Sequence, residues 1–144
     1  MKSLLLVICF SLVFTNALAE THTVKMRSKT KDEKMVYEPA FLKVEVGDVI
    51  VFEPTDSGHN SKSVFYPKAA QAWDSKIDEK IEITLTEEGI YIYECTPHVS
   101  TNMVGVIQVG EAKNLKQAKK FADDYPKFIS FNKSRITEYL KKAK

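Results

Sequence analysis

The sequence predicts an all-β fold, a sandwich of short strands, followed by two C-terminal α-helices. Three observations carry that prediction. Between Thr21 and Val109 the chain breaks every six to ten residues, with apolar residues alternating between the breaks. The breaks carry turn chemistry, as at Gly47-Asp48 and Glu87-Glu88-Gly89. After Gly110 the apolar spacing changes from that of a strand to that of a helix.

The first stretch, "MKSLLLVICFSLVFTNALAE", reads as an address. Lys2 supplies a charged start, Leu4 to Phe14 an apolar run, and Ala17-Leu18-Ala19 a small-x-small cleavage site. The run is short for a membrane span, so residues 1–19 are expected to be a cleaved secretory signal, with no membrane anchor. Cys9 lies inside the apolar run behind bulky Ile8, which argues against a lipid-modified cysteine. Residues 20–110 are then the sandwich and residues 111–144 a helical extension packed on it.

Strand signals follow in order. In "FLKVEVGDVIVF", Leu42, Val44 and Val46 point one way, Gly47-Asp48 turn, and Val49 to Phe52 return. Ser61 to Glu79 is irregular and predicts a loop, with one helical turn near Ala69 to Trp73. "KIEITLTEEGIYIYE" repeats the strand-turn-strand plan, and "MVGVIQV" closes the series. Such spacing suggests a sandwich or barrel. Leu115, Ala118 and Ala122 then recur at helical spacing behind an Asn114 cap, ending at Asp123 to Pro126. Ile136, Tyr139 and Leu140 make the apolar stripe of a second helix.

Charge is unevenly placed. Residues 20–110 hold ten Lys+Arg against fifteen Asp+Glu, and residues 111–144 hold ten against four. The basic tail raises nucleic acid as a partner, but its charges spread over helical faces and the chain reads as exported, so no nucleic acid is expected.

Removal of the signal leaves Cys95 as the only cysteine, so no internal disulfide can form. A lone cysteine is ordinarily a small buried hydrophobe. Its neighbours argue otherwise. "YECTPHVSTNMVGVIQV" gathers Cys95, His98 and Met103, and soft sulfur ligands with imidazole favour copper. Zinc more often takes a fourth Cys, His or carboxylate than Met. A trigonal His₂Cys set with a weak axial Met describes a blue-copper electron-transfer centre, which requires a second His. His59, in "PTDSGHNSK", sits at a strand end where another loop can meet it. His22 lies beside the cleavage site, at a terminus expected to fray.

With these residues in view, the chain resembles the cupredoxins and, among them, the pseudoazurin family. The matching stretches are "MVYEPAFLKVEVGD", "PTDSGHN", "SKIDEKIEITLTEEGIY", "CTPH" and "MVGVIQVG", followed by two helices. The resemblance implies a Greek-key β-sandwich and one type 1 copper ion. It implies His59, Cys95, His98 and Met103 as ligands, and Asn60 tying the two ligand loops together. Pro97, which has no N–H to offer the Cys95 thiolate, is a second residue expected to tune the potential. The implied role is a periplasmic, monomeric, non-enzymatic carrier of single electrons between redox proteins, a cytochrome or a copper nitrite reductase among them. Two places depart from the family pattern. The loop before Met103 reads "VSTN" where relatives have aromatic, Gly and Met residues, and Glu94 and Ser57 stand where they have Lys.

Two other readings compete with this one. A Cys95–His98 nucleophile pair lacks an orienting third group and oxyanion donors in the surrounding sequence. A periplasmic copper-binding or delivery protein is the alternative function. It would have a colourless or rapidly exchanging site, whereas an electron carrier is intensely coloured and bleaches on reduction without losing metal.

Overall fold

A computed structural model describes residues 18–125 and 129–144, so the expected signal lies outside the described residues except for Leu18 and Ala19. Strands β1 (Thr21–Lys29), β2 (Lys34–Glu38), β3 (Phe41–Val44), β4 (Val49–Pro54), β5 (Lys62–Phe65), β6 (Ile81–Thr84), β7 (Gly89–Glu94) and β8 (Val104–Val109) form two four-stranded sheets. The first sheet runs β2-β1-β4-β6 and the second β3-β8-β7-β5. Helices α1 (Leu115–Asp124) and α2 (Arg135–Leu140) follow.

Both turns read as local reversals are in fact crossings between sheets. β3 pairs in parallel with β8, while β4 pairs in parallel with β1, so Gly47-Asp48 joins strands of opposite layers. Gly47 adopts φ 97, which only glycine enters freely. β6 and β7 are divided in the same way, β6 on β4 and β7 on β8. Val46 lies beyond β3 and is exposed.

Alternation sorts the core into two clusters. Tyr91 and Tyr93 of β7, with Ile107 and Val109 of β8, face the first sheet and join Val24, Met26, Ile50 and Phe52. Ile90, Ile92, Val104 and Val106 point the other way and are covered by Ala118, Ile136, Tyr139 and Leu140 of the helices. β8 is therefore buried along its whole length. Full burial of each such aliphatic side chain is worth about 1.5–3 kcal/mol. The helices thus complete the fold by covering a face of the second sheet that would otherwise be apolar and wet.

Two expectations are corrected. The Ser61–Glu79 stretch contains β5, whose four residues are too few to show a period, and the segment around Ala69 to Trp73 has no helical turn. Ser61 and Ser63 instead hold Trp73: the indole N–H donates to Ser61 Oγ (2.9 Å) and the Trp73 backbone N–H to Ser63 Oγ (2.9 Å). Asn114 occupies the N-cap position of α1, but its side chain makes no cap hydrogen bond. It reaches across to β7, where Oδ1 accepts the Ile90 N–H (2.6 Å) and Nδ2 donates to the Ile90 carbonyl (3.1 Å). The competition between cap and strand edge is settled by tertiary contact.

Candidate metal centre

One pole of the sandwich collects the ends of β1, β4 and β7 and the start of β8. His59 lies in the loop after β4, and Cys95 immediately follows β7. His98 lies within a 3-10 turn, Thr96–Thr101, and Met103 immediately precedes β8. Gly58 adopts φ 88, and its N–H donates to the Asp78 carboxylate (2.6 Å), while Asp78 N–H donates to the His59 carbonyl (2.8 Å). The second loop is closed by its own backbone. Cys95 N–H donates to Met103 O (3.0 Å), His98 N–H to Cys95 O (2.9 Å) and Met103 N–H to His98 O (3.2 Å).

This scaffolding brings three donor atoms together. Cys95 Sγ lies 3.6 Å from His59 Nδ1 and 3.3 Å from His98 Nδ1, and the three atoms are all within 4.8 Å of one another. His59, Cys95 and Met103 are fully buried, and His98 reaches the surface. Met103 packs in the same core cluster as Cys95. His22, the imidazole set aside from the sequence, lies at the opposite pole. It is not frayed: its Nε2 pairs with Asp48 Oδ2 at 2.8 Å.

Burial shapes the protonation of these groups. Desolvation pushes the Cys95 thiol up to about 11, against an opposing pull from the backbone N–H groups of Asn60 and His98. Desolvation lowers the His59 imidazole below its ordinary value, with a further push from nearby His98, and it lowers His98 as well. Both rings are therefore neutral at pH 7 and have lone pairs free for a metal. The thiol is protonated until a cation displaces its proton. Two neutral imidazoles, one displaceable thiol proton and a buried thioether fit copper.

The surrounding hydrogen bonds fix the donors. Asn60 Oδ1 accepts both the backbone N–H and the hydroxyl of Thr96 (2.8 Å each), and Nδ2 donates to Ser75 O (3.1 Å), so Asn60 links the two loops. Pro97 is exposed in the first turn of the 3-10 segment, where its missing N–H costs nothing. Ser28, which sequence reasoning missed, places its hydroxyl 3.0 Å from His59 Nε2, where it can accept the Nε2 proton of a His59 whose Nδ1 holds a metal. Its only sequence signal was its place near the end of β1, beside β4. Glu94 is half-buried, and its carboxylate accepts the Tyr125 hydroxyl, so it is not a free surface charge.

Residues 24–110 match the family model described as copper binding proteins, plastocyanin/azurin family. The chain is 46% identical over 104 residues to the pseudoazurin of Paracoccus pantotrophus, covering 70% of this chain and 72% of that protein. It belongs to the pseudoazurin family. The pseudoazurin of Methylorubrum extorquens is 33% identical over 106 residues, covering 72% of each chain. The crystal structure of native pseudoazurin from Hyphomicrobium denitrificans superposes with a TM-score of 0.77 at 33% identity, covering 86% of this chain and 98% of that one. The cupredoxin sandwich with C-terminal helices is thus shared with that family. The chain is a blue-copper electron carrier, not an enzyme, and its cofactor is one type 1 copper ion.

Proposed function

We propose that His59, Cys95, His98 and Met103 hold the copper ion, and that the chain carries electrons between redox proteins in the periplasm. The observation that carries this reading is the convergence of His59, Cys95 and His98, donors from two loops, within 4.8 Å at one pole of the sandwich. When bound, copper supplies a one-electron couple between Cu(II) and Cu(I). The chain's part is positioning. Two loops closed by backbone hydrogen bonds and linked by Asn60 keep the donors in one arrangement, which limits rearrangement when the charge changes. Delivery of metal would call for an open site, and among these four residues only His98 reaches solvent.

His98 is accordingly the exit for electrons. Pro39 and Ala40 lead into β3, which runs parallel to β8, so they lie at the same pole as Pro97 and Val99. Together with His98, these four give that pole an apolar docking patch of the small kind that transient redox partners use. A monomer suffices for this task. Export follows from cleavage after Ala19, beside an exposed Leu18. The partners are a cytochrome or a copper nitrite reductase, and the lack of free lysines at positions 57 and 94 favours partners weakly charged near their docking site. The basic tail does not substitute for local charge, because exposed charges are screened beyond about 8 Å at physiological ionic strength. Stopped-flow oxidation of the reduced protein by a copper nitrite reductase tests the partner. Saturable transfer with a shallow salt dependence is expected, and absence of transfer at any ionic strength rejects it.

A further inference from the structure

Three non-glycine residues with left-handed backbone, Met35 (φ 49), Asn102 (φ 55) and Asn132 (φ 53), meet at a single residue, Arg135. Its guanidinium donates to Met35 O (2.6 Å), Lys34 O (2.8 Å) and Asn102 O (3.2 Å), and its backbone N–H to Asn132 O (3.0 Å). Arg135 is buried, and its charge faces one carboxylate, that of Glu33 at 3.5 Å. Left-handed conformations cost non-glycine residues energy and persist where neighbours hold them. The buried guanidinium is such a neighbour for Met35 and Asn102, and the Arg135 backbone N–H is one for Asn132.

The contacts of the same segment point to what is being held. Asn102 Nδ2 donates to Asn132 O (2.6 Å), Asn132 Nδ2 to Thr101 O (3.2 Å) and Ser130 N–H to Ser100 O (3.0 Å). Residues 100–102 lie between His98 and Met103, so the tail grips the outer side of the loop that carries both. The Asn102 carbonyl belongs to the same peptide unit as the Met103 N–H. That peptide is therefore fixed from two sides, by His98 O on the inside and by Arg135 on the outside.

We propose that Arg135 is a positioning residue for the metal loop: its guanidinium anchors the peptide carrying Met103 to the β1–β2 hairpin. This rests on the assignment of Met103 as a ligand. A weakly bound thioether sits where the chain puts it, so the anchor would set where the Met103 sulfur stands relative to the His59, Cys95 and His98 donors. Arginine suits the task because its planar fork serves several carbonyls at once, which a lysine ammonium does less well. The helical tail thereby covers the second sheet at one end and tunes the site at the other.

The test uses the full chain with three substitutions. Arg135→Met removes the donors, Arg135→Lys keeps the charge without the fork, and Ile136→Ala weakens tail packing without touching the loop. In the copper-free protein, amide exchange at Met103 is expected to accelerate about tenfold in Arg135→Met, from loss of a charge-assisted hydrogen bond. A smaller increase is expected in Arg135→Lys and none in Ile136→Ala. In the copper-loaded protein, the relative intensity of the visible absorption bands and the reduction potential should shift in the same order. Unchanged exchange in both Arg135 variants overturns the proposal, as does an equal shift in Ile136→Ala. Should Arg135→Met fail to fold, Arg135→Lys decides alone: wild-type exchange and band ratio overturn the proposal. A Met103→Leu protein with wild-type absorption bands would instead overturn the ligand assignment, while the copper-free exchange rates still judge the anchor.

Discussion

Ser28 and His59 are 31 positions apart in sequence and 3.0 Å apart at the hydroxyl and Nε2. The hydrogen bond leaves the ring one face for a metal. Ser28→Ala removes the hydroxyl partner of Nε2, freeing the ring to change tautomer or rotate. Copper affinity is expected to fall by about 10-fold or more, with the fold intact, as is usual when a ligand His loses its outer partner. Competition against a chelator of known affinity measures the loss. Cys95, His98 and Met103 were legible because one loop spaces them, and His59 because it follows a strand end. Ser28 and Arg135 were not, because each acts through a neighbour brought close only by the fold: β1 laid beside β4, and a helix start laid against a loop. The same holds for Glu94, whose tether to Tyr125 no local pattern announces.

At the scale of the element, Gly105 shows why β7 and β8 tolerate so little change. It stands opposite Tyr93 in the ladder, and a Cβ there would lie 2.3 Å from the Tyr93 ring. That ring packs edge-on against Tyr37 and Phe52, with centroids 4.7 and 4.9 Å away, and cannot retreat. Gly105→Ala is expected to cost about 3 kcal/mol, the upper end for overpacking, and denaturant unfolding of the copper-free protein reads the loss directly. Strand existence was legible from alternation, and helix positions from the change of period. Pairing was not. Nothing in "FLKVEVGDVIVF" says that its halves enter different sheets, because alternation fixes which face a residue takes and not which strand lies beside it. β5 escaped for a related reason: its buried Ser63, like Ser61 just before it, serves Trp73 through a hydrogen bond and carries no apolar signature.

The whole molecule separates its tasks by pole, with the metal centre at one end and a staple at the other. Asp48 accepts hydrogen bonds from Glu20 N–H (2.8 Å), His22 Nε2 (2.8 Å) and Glu45 N–H (3.1 Å), closing the start of β1 onto the turn before β4. Burial alone would raise its pKa, but these donors outweigh it and hold the carboxyl below its ordinary value. A depressed folded-state pKa contributes stability that is present above the unfolded value, about 3.9, and is lost as pH falls through the folded value. Asp48→Asn should therefore lower stability at neutral pH and flatten the acid limb of a stability–pH profile below about pH 4. The central claim, that His59, Cys95, His98 and Met103 hold one electron-transferring copper, is tested most directly by visible absorption during Cu(II) titration of the mature chain. The account predicts intense thiolate-to-copper colour saturating at one equivalent, bleached by reductant and restored by oxidant with the metal still bound. The same titration should give no such band in Cys95→Ala and an unchanged band in His22→Ala. Colour that survives Cys95→Ala, or copper that leaves on reduction, would contradict it.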